Sequence, residues 1–100
     1  MSKYRKDARI DTNQPAIVKS LRQIPGVTVE TGKDDILVGY KGRTYWYEIK
    51  TPDCRSKKTG KVLETEKKDG QKKLERDWQG HYKIVTGLDE ILADILGLEP

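Results

Sequence analysis

Two carboxylates and a lysine, Asp35, Glu48 and Lys50, are the residues of this chain best suited to chemistry. Paired carboxylates hold a hard divalent cation such as Mg²⁺, leaving waters and phosphate oxygens to complete its ligand shell. Such an ion polarises a phosphodiester and activates bound water. A nearby lysine can orient that water or neutralise charge that develops on the phosphate. The three residue types therefore suit metal-assisted phosphodiester hydrolysis, provided that the fold brings them together.

The register of a predicted β-hairpin decides whether the two carboxylates meet. With a two-residue loop at Lys41-Gly42, or a four-residue loop around it, Asp35 lies directly opposite Glu48, with Cβ atoms about 5 Å apart. Lys50 then shares that face, because strand side chains alternate. A three-residue loop would instead place Tyr47 opposite Asp35. Only the first register collects the apolar side chains of the hairpin on one face, so it is favoured.

The same residues also have a simpler interpretation. An edge hairpin with solvated Asp35, Glu48 and Lys50, in which the lysine offsets Glu48, would need no metal ion. Glu-x-Lys alone is a weak signal in a highly charged protein. Two carboxylates that face each other across a sheet repel, however, and a bound cation is a common reason for such a pair. Both interpretations stay open at this point.

The composition limits the classes of protein to which the chain can belong. One hundred residues with 34% hydrophobic content suit one small domain with a modest core. Charged residues make up 36%, nearly balanced in sign, and the net charge of +4 is compatible with a polyanionic partner without requiring one. The single cysteine, Cys54, excludes an intramolecular disulfide. With no apolar run of membrane-spanning length and no signal peptide, we expect a cytoplasmic protein without membrane contact.

Hydrophobic periodicity predicts the element order αβββαβα, an α/β fold with a small mixed four-stranded sheet flanked by helices. A flexible N-terminal arm at residues 1–10 is expected ahead of a single domain at 11–100. Helices are predicted over residues 11–24, over residues 67–79, and from Leu88 to a stop at Gly97. The predicted strands are Val27–Thr31, Ile36–Tyr40, Thr44–Lys50 and Tyr82–Thr86. Residues 51–70 lack periodicity and are predicted to form a long, mobile loop.

In their order along the chain, these motifs resemble the VRR-NUC group of the PD-(D/E)xK nuclease superfamily, in particular its small stand-alone phage and bacterial members. The likeness extends from about Asp11 to Leu96. It rests on the helix stretch Asn13–Val18, the strand Asp35–Tyr40, the triplet Glu48-Ile49-Lys50, and the residues Gln71, Trp78 and Gly80. The resemblance implies a restriction-endonuclease-like core and a DNA endonuclease that depends on Mg²⁺ or Mn²⁺.

The resemblance also implies roles for individual residues. Asp35, Glu48 and the main-chain carbonyl of Ile49 would ligate the metal ion. Lys50 would be catalytic, and Gln71 would lie near the site, although a capping or solvated glutamine is an equally simple interpretation of Gln71.

The chain departs from the family at two places. Asp34 stands where the family has a proline, and Asn13 or Gln14 stands where some relatives have a metal-aiding glutamate. The number of metal ions therefore stays open. Trp46, on the face of Glu48, is expected to pack in the core rather than to stack on a base. His81 is expected to have a structural role.

Basic residues concentrate in one part of the chain, since residues 55–76 hold nine Lys or Arg against four Asp or Glu. Such a segment is typical of contacts with phosphates, although a solvated charged loop is the alternative. The residues predicted to contact nucleic acid are Lys33, Arg43, Lys57, Lys58, Lys61 and Lys72. The resemblance implies branched DNA, such as four-way junctions, as the substrate. Because a hundred-residue nuclease has little room for a full DNA-binding surface, a symmetric homodimer is expected, in a bacterial or phage-infected cell. The competing function is a nucleic-acid-binding module on the same fold that does not cleave.

Overall fold

The chain forms one mixed four-stranded sheet and three α-helices. The structure is a computed structural model that describes residues 13–33 and 35–97, so the predicted N-terminal arm lies outside the described residues. The elements in chain order are α1 (Gln14–Arg22), β1 (Val27–Thr31), β2 (Asp35–Tyr40), β3 (Arg43–Ile49), α2 (Asp69–Asp77), β4 (Lys83–Val85) and α3 (Leu88–Leu96). The predicted element order is confirmed. In the part of the chain that is described, no helix combines the length and apolar character needed to cross a bilayer.

Two helices and one loop were predicted to be longer than they are. Helix α1 ends at Arg22 rather than at residue 24, because the last amides turn back to carbonyls three residues earlier and tighten the chain before Pro25. Helix α2 is two residues shorter at each end than predicted. Residues 51–70 are not irregular throughout. They contain the 3₁₀ turns Pro52–Cys54 and Glu64–Glu66 and an antiparallel bridge between Arg55 and Val62.

The sheet has the order β1-β2-β3-β4, with β3 and β4 parallel and the other neighbours antiparallel. The predicted hairpin register is confirmed, because Asp35 pairs directly with Glu48. Lys41 and Gly42 both have positive φ angles, 52° and 80°, as a two-residue type I′ turn requires. The turn therefore fixes the register of the two central strands.

One face of the sheet, here called the inner face, carries the core. Its fully buried side chains come from the three strands β2, β3 and β4, and they are Ile36, Val38, Tyr47, Ile49 and Val85. Helices α1 and α3 cover them with Ile17, Val18, Leu21, Ile91 and Ile95. Full burial of such a side chain contributes about 1.5–3 kcal/mol. The opposite face, here called the carboxylate face, carries Asp35, Leu37, Trp46 and Glu48.

Arg55 anchors the segment that links β3 to α2. Its guanidinium donates to the Thr86 hydroxyl (2.7 Å) and the Gly60 carbonyl (2.6 Å), and it pairs with the Glu90 carboxylate. Burial acts to raise the pKa of Glu90, but the Thr86 N–H and the Arg55 guanidinium outweigh it and hold that pKa below the ordinary value. The segment is thus tied to the end of β4 and the start of α3.

We expect Gly42→Ala to destabilise the protein by about 1 kcal/mol or more, because a side chain disfavours the left-handed conformation of this position. The matched control is Gly70→Ala, since an added β-carbon on α2 meets nothing within 4 Å. That change should be neutral or stabilising by up to about 1 kcal/mol. Urea unfolding followed by circular dichroism measures both, and wild-type stability in Gly42→Ala would contradict the role assigned to the turn.

Candidate active site

Asp35 and Glu48 form the closer kind of antiparallel pair. The Lys50 N–H donates to the Val85 carbonyl of β4 (2.8 Å), so the main-chain groups of Lys50 and, by alternation, of Glu48 face β4 rather than β2. Asp35 and Glu48 are therefore a non-hydrogen-bonded pair, for which Cα atoms lie about 4.5 Å apart and side chains approach most closely. Like charges at such a position destabilise a sheet.

The Asp35 carboxylate is held in place by two neighbours. Its Oδ2 accepts a hydrogen bond from the Trp46 indole Nε1 at 2.8 Å. Its Oδ1 lies so near Gly32 that a β-carbon at Gly32 would overlap it. Glycine at this position thus leaves room for the carboxylate, which would have to shift if a side chain were introduced there.

Glu48 contradicts the solvated-hairpin interpretation. Its side chain is buried, with 6% of the residue exposed, and β2 and β3 are the two central strands of the sheet rather than an edge hairpin. Its neighbour on β4 is the apolar residue Ile84. The site therefore combines one buried and one half-buried carboxylate on the same face.

The other residues predicted for the metal and the chemistry lie at the same end of the sheet. The main-chain groups of Ile49 face the β2 side of β3, by the alternation that turns Lys50 towards β4. This direction suits the predicted role of the Ile49 carbonyl beside Asp35. Lys50 is half-buried, and its carbonyl accepts a hydrogen bond from Asn13 Nδ2 (3.1 Å). Because Asn13 also donates to the Thr86 carbonyl (3.0 Å), α1 begins at this end of the sheet.

Gln71 caps its own helix, which was one of the two interpretations left open. Its Oε1 accepts the Lys68 N–H at 2.9 Å, and the residue is 8% exposed. Gln71 is thus a buried capping residue at the start of α2.

Tyr82 is a site residue that the sequence analysis missed. Its hydroxyl is buried and has no hydrogen-bond partner among residues 13–33 and 35–97. Burial raises the pKa of the phenol, and the carboxylates of Glu48, Glu75 and Asp35 raise it further, so the group stays protonated. Tyr82 also lines a cavity of about 690 Å³ together with Lys61. A donor without a partner in the described chain thus lies on a side chain that packs against Trp46, the residue whose indole binds Asp35.

Trp46 connects the carboxylates to the aromatic residues around them. Its ring meets Trp78 edge-on at 5.4 Å and Tyr82 at 4.9 Å between centroids. Its main-chain N–H donates to His81 Nδ1 (3.1 Å), so His81 extends the bonding of β3 and has the structural role expected for it. Trp46 is half-buried and positions Asp35, a role that neither core packing nor base stacking had suggested.

The predicted nucleic-acid contacts do not form one cluster. Lys61 lines the cavity beside Tyr82, and Lys57 and Lys58 are exposed in the turn just before it. Arg43 pairs with Tyr40 at the other end of the hairpin, five residues and about 17 Å along β3 from Glu48. The last two are Lys72, half-buried next to Gln71 on α2, and Lys33, exposed in a second groove between α1 and the β1–β2 connection.

The carboxylate pair fits a hard cation that needs few protein ligands. Across the described ranges, no group of three or more His, Cys, Asp or Glu side chains is arranged to hold a metal ion. Mg²⁺ is commonly bound through one or two carboxylates, with waters and substrate phosphates as its other ligands. Two opposed carboxylates, one fixed by Trp46 and Gly32, meet that requirement.

Comparisons of the chain with models of known protein families, with curated proteins and with solved structures returned no match. The likeness to the VRR-NUC group therefore stays a prediction from motifs.

We expect Mn²⁺ to stabilise the wild-type protein and not Asp35→Asn. At a concentration 100-fold above its Kd, a bound ion contributes about 2.7 kcal/mol, which raises the Tm of a domain this size by several degrees. Without metal, Asp35→Asn should equal or exceed the wild type in stability, because the asparagine keeps an acceptor for Trp46 and removes the charge facing Glu48. Differential scanning fluorimetry with Mn²⁺ and with EDTA measures this. The control is Asp53→Asn, an exposed aspartate, and equal shifts in all three proteins would exclude a metal at Asp35.

Proposed function

We propose that the protein is a divalent-metal-dependent DNA endonuclease with a restriction-endonuclease-like core. The observation that carries the proposal is the close pairing of Asp35 and Glu48 on one face of the sheet. Like charges at this position destabilise a sheet, a bound divalent cation would offset that cost, and such cations are used in phosphodiester hydrolysis. The order of motifs that resembles the VRR-NUC group supports the same conclusion.

The residues that would hold the ion are Asp35, Glu48 and the carbonyl of Ile49. A bound Mg²⁺ or Mn²⁺ would supply Lewis-acid polarisation of the scissile phosphate and a more acidic bound water. The protein contributes the rest, since Trp46 and Gly32 fix the Asp35 carboxylate and the sheet fixes Glu48. Alternation places the Lys50 side chain on the same face, where its ammonium would orient the attacking water or offset charge on the phosphate.

Tyr82 fits this site as a further donor. A buried hydroxyl without a protein partner is costly, and it is explained if a substrate or a water accepts its hydrogen bond. Its protonated phenol would donate to a non-bridging oxygen of the phosphate, as the amide nitrogen of Gln71 could from α2.

DNA binding in this proposal relies on phosphates rather than base edges. The cations of residues 55–76 outnumber the acids, and Arg55 ties the first part of this segment to the end of β4. The described chain presents no helix suited to reading a groove, so recognition would follow the shape of the DNA. Branched DNA and a homodimer that cuts two strands remain the expectations to test first.

Cleavage assays with a labelled four-way junction, a flap and a linear duplex test the proposal. With Mn²⁺ the wild type should cut the branched substrates, with EDTA it should not, and Lys50→Ala should lose at least about 100-fold in rate. Lys41→Ala, at the tip of the hairpin, removes the same charge far from the site and should cut normally. Binding without any products would favour the non-cleaving module. Equal cutting of linear and branched DNA by a monomer would end the junction and dimer expectations.

Tyr82→Phe should separate activity from stability. We expect a rate loss of about 10- to 100-fold, because a donor to the phosphate is removed. The Tm should be unchanged or higher, since the lost hydroxyl has no partner in the described protein. Tyr47→Phe is the converse control, because the Tyr47 hydroxyl donates to Asp94 (2.9 Å) on the inner face. That variant should be less stable but cut at the normal rate, and normal cutting by Tyr82→Phe would refute the role of Tyr82.

A further inference from the structure

An apolar surface adjoins the carboxylate pair. It consists of Leu37, Trp46 and Trp78, here called the aromatic shelf. Leu37 pairs with Trp46 across the hairpin, and the Trp78 ring meets Trp46 at 5.4 Å with an interplanar angle of 87°. Leu37 is 44% exposed and Trp78 is 51% exposed, so the described chain leaves both open to solvent. Trp78 is held in this position because α2 ends at Asp77 and the chain turns extended at the next residue.

The shelf and the candidate metal ligand share their surroundings. Trp46 forms the floor of the shelf and donates its indole N–H to Asp35. Leu37 and Asp35 also line one cavity of about 170 Å³, together with Gly32. Anything flat that rests on Trp78 and Leu37 therefore lies next to the carboxylate that would bind the metal.

We propose that the aromatic shelf binds an unpaired nucleobase adjacent to the phosphate to be cut. The inference rests on the proposed function and narrows its substrate to DNA with unpaired nucleotides near the cut. Aromatic side chains stack on any base, but in a duplex the faces of the bases are already covered by their neighbours. A single-stranded nucleotide offers both a free face for Trp78 and a phosphate for the carboxylate site.

The overall charge of the chain is compatible with a nucleic acid on this surface. The chain carries a net charge of +4, and the segment with nine basic and four acidic residues ends two positions before Trp78. The acidic residue Glu30 pairs with Leu37 on β1, at the side of the shelf away from Trp46. A nucleic acid with a base on the shelf and a phosphate at the carboxylate site would use both features, whereas an apolar protein surface would use the shelf alone.

Fluorescence anisotropy in EDTA tests the inference without any cleavage. The probes are a fluorescein-labelled 15-nucleotide single strand and the corresponding blunt duplex. Trp78→Ala should weaken single-strand binding roughly 5- to 140-fold and duplex binding less than about 2-fold. Trp78→Phe should restore most of the single-strand affinity. Leu96→Ala, which removes another exposed apolar side chain from α3, should change neither affinity.

Each other outcome overturns the inference. Unchanged single-strand binding by Trp78→Ala, or an equal loss for both probes, would exclude a base-stacking shelf. A wild-type dimer that becomes a monomer in Trp78→Ala, measured by light scattering, would make the shelf a contact between protein chains. The two proposals fail separately. If the wild type cuts DNA but Trp78→Ala leaves single-strand affinity unchanged, only the shelf proposal is refuted. If single-strand affinity depends on Trp78 but the wild type does not cut in Mn²⁺, only the endonuclease proposal is refuted.

Discussion

The repulsion between the carboxylates of Asp35 and Glu48 is the constraint on which the rest of the site depends. The sheet register makes them direct partners, and the alternation of its ladder makes them the close kind of partner. A sheet tolerates such a pair only if other interactions outweigh it. Here the opposite face supplies them, because its apolar side chains pack against two helices and specify the same register. The core thus holds the carboxylates together against their own charge.

Trp46 connects the sheet to the Asp35 carboxylate and so fixes the orientation of that carboxylate. Its main chain is bound by His81, its ring is enclosed by Tyr82 and Trp78, and its indole nitrogen reaches Asp35. His81 in turn packs edge-on against Tyr47 of the inner face. The orientation of one carboxylate is therefore supported by contacts on both faces of the sheet. A support of this kind would keep the Asp35 carboxylate in one conformation before any ligand bound.

The carboxylate pair was predictable because local signals determine it. The Lys41-Gly42 turn and the alternation of apolar residues select one register, and that register alone brings Asp35 to Glu48. The residues that support the site were not predictable, because they act through contacts between distant parts of the chain. Such contacts leave no periodic pattern in the sequence. Arg55 meets Glu90 from 35 residues away, and Tyr82 comes beside Trp46 only through the parallel pairing of β4 with β3. The ends of α1 and α2 were also missed, since a tightened last turn has no residue type of its own, whereas the bounds of α3 were predicted.

The residue opposite Glu48 decides whether this end of the sheet is better explained by ligand binding or by sheet stability alone. A lysine or a neutral residue at position 35 would fit the strand equally well, would not repel Glu48, and would leave the apolar face unchanged. The chain instead places an aspartate there, fixes it with a tryptophan donor, and keeps a glycine where any side chain would displace it. Such a departure from local stability, supported by dedicated neighbours, is expected where a site binds something outside the protein. A cation held between the two carboxylates, as proposed, would account for it.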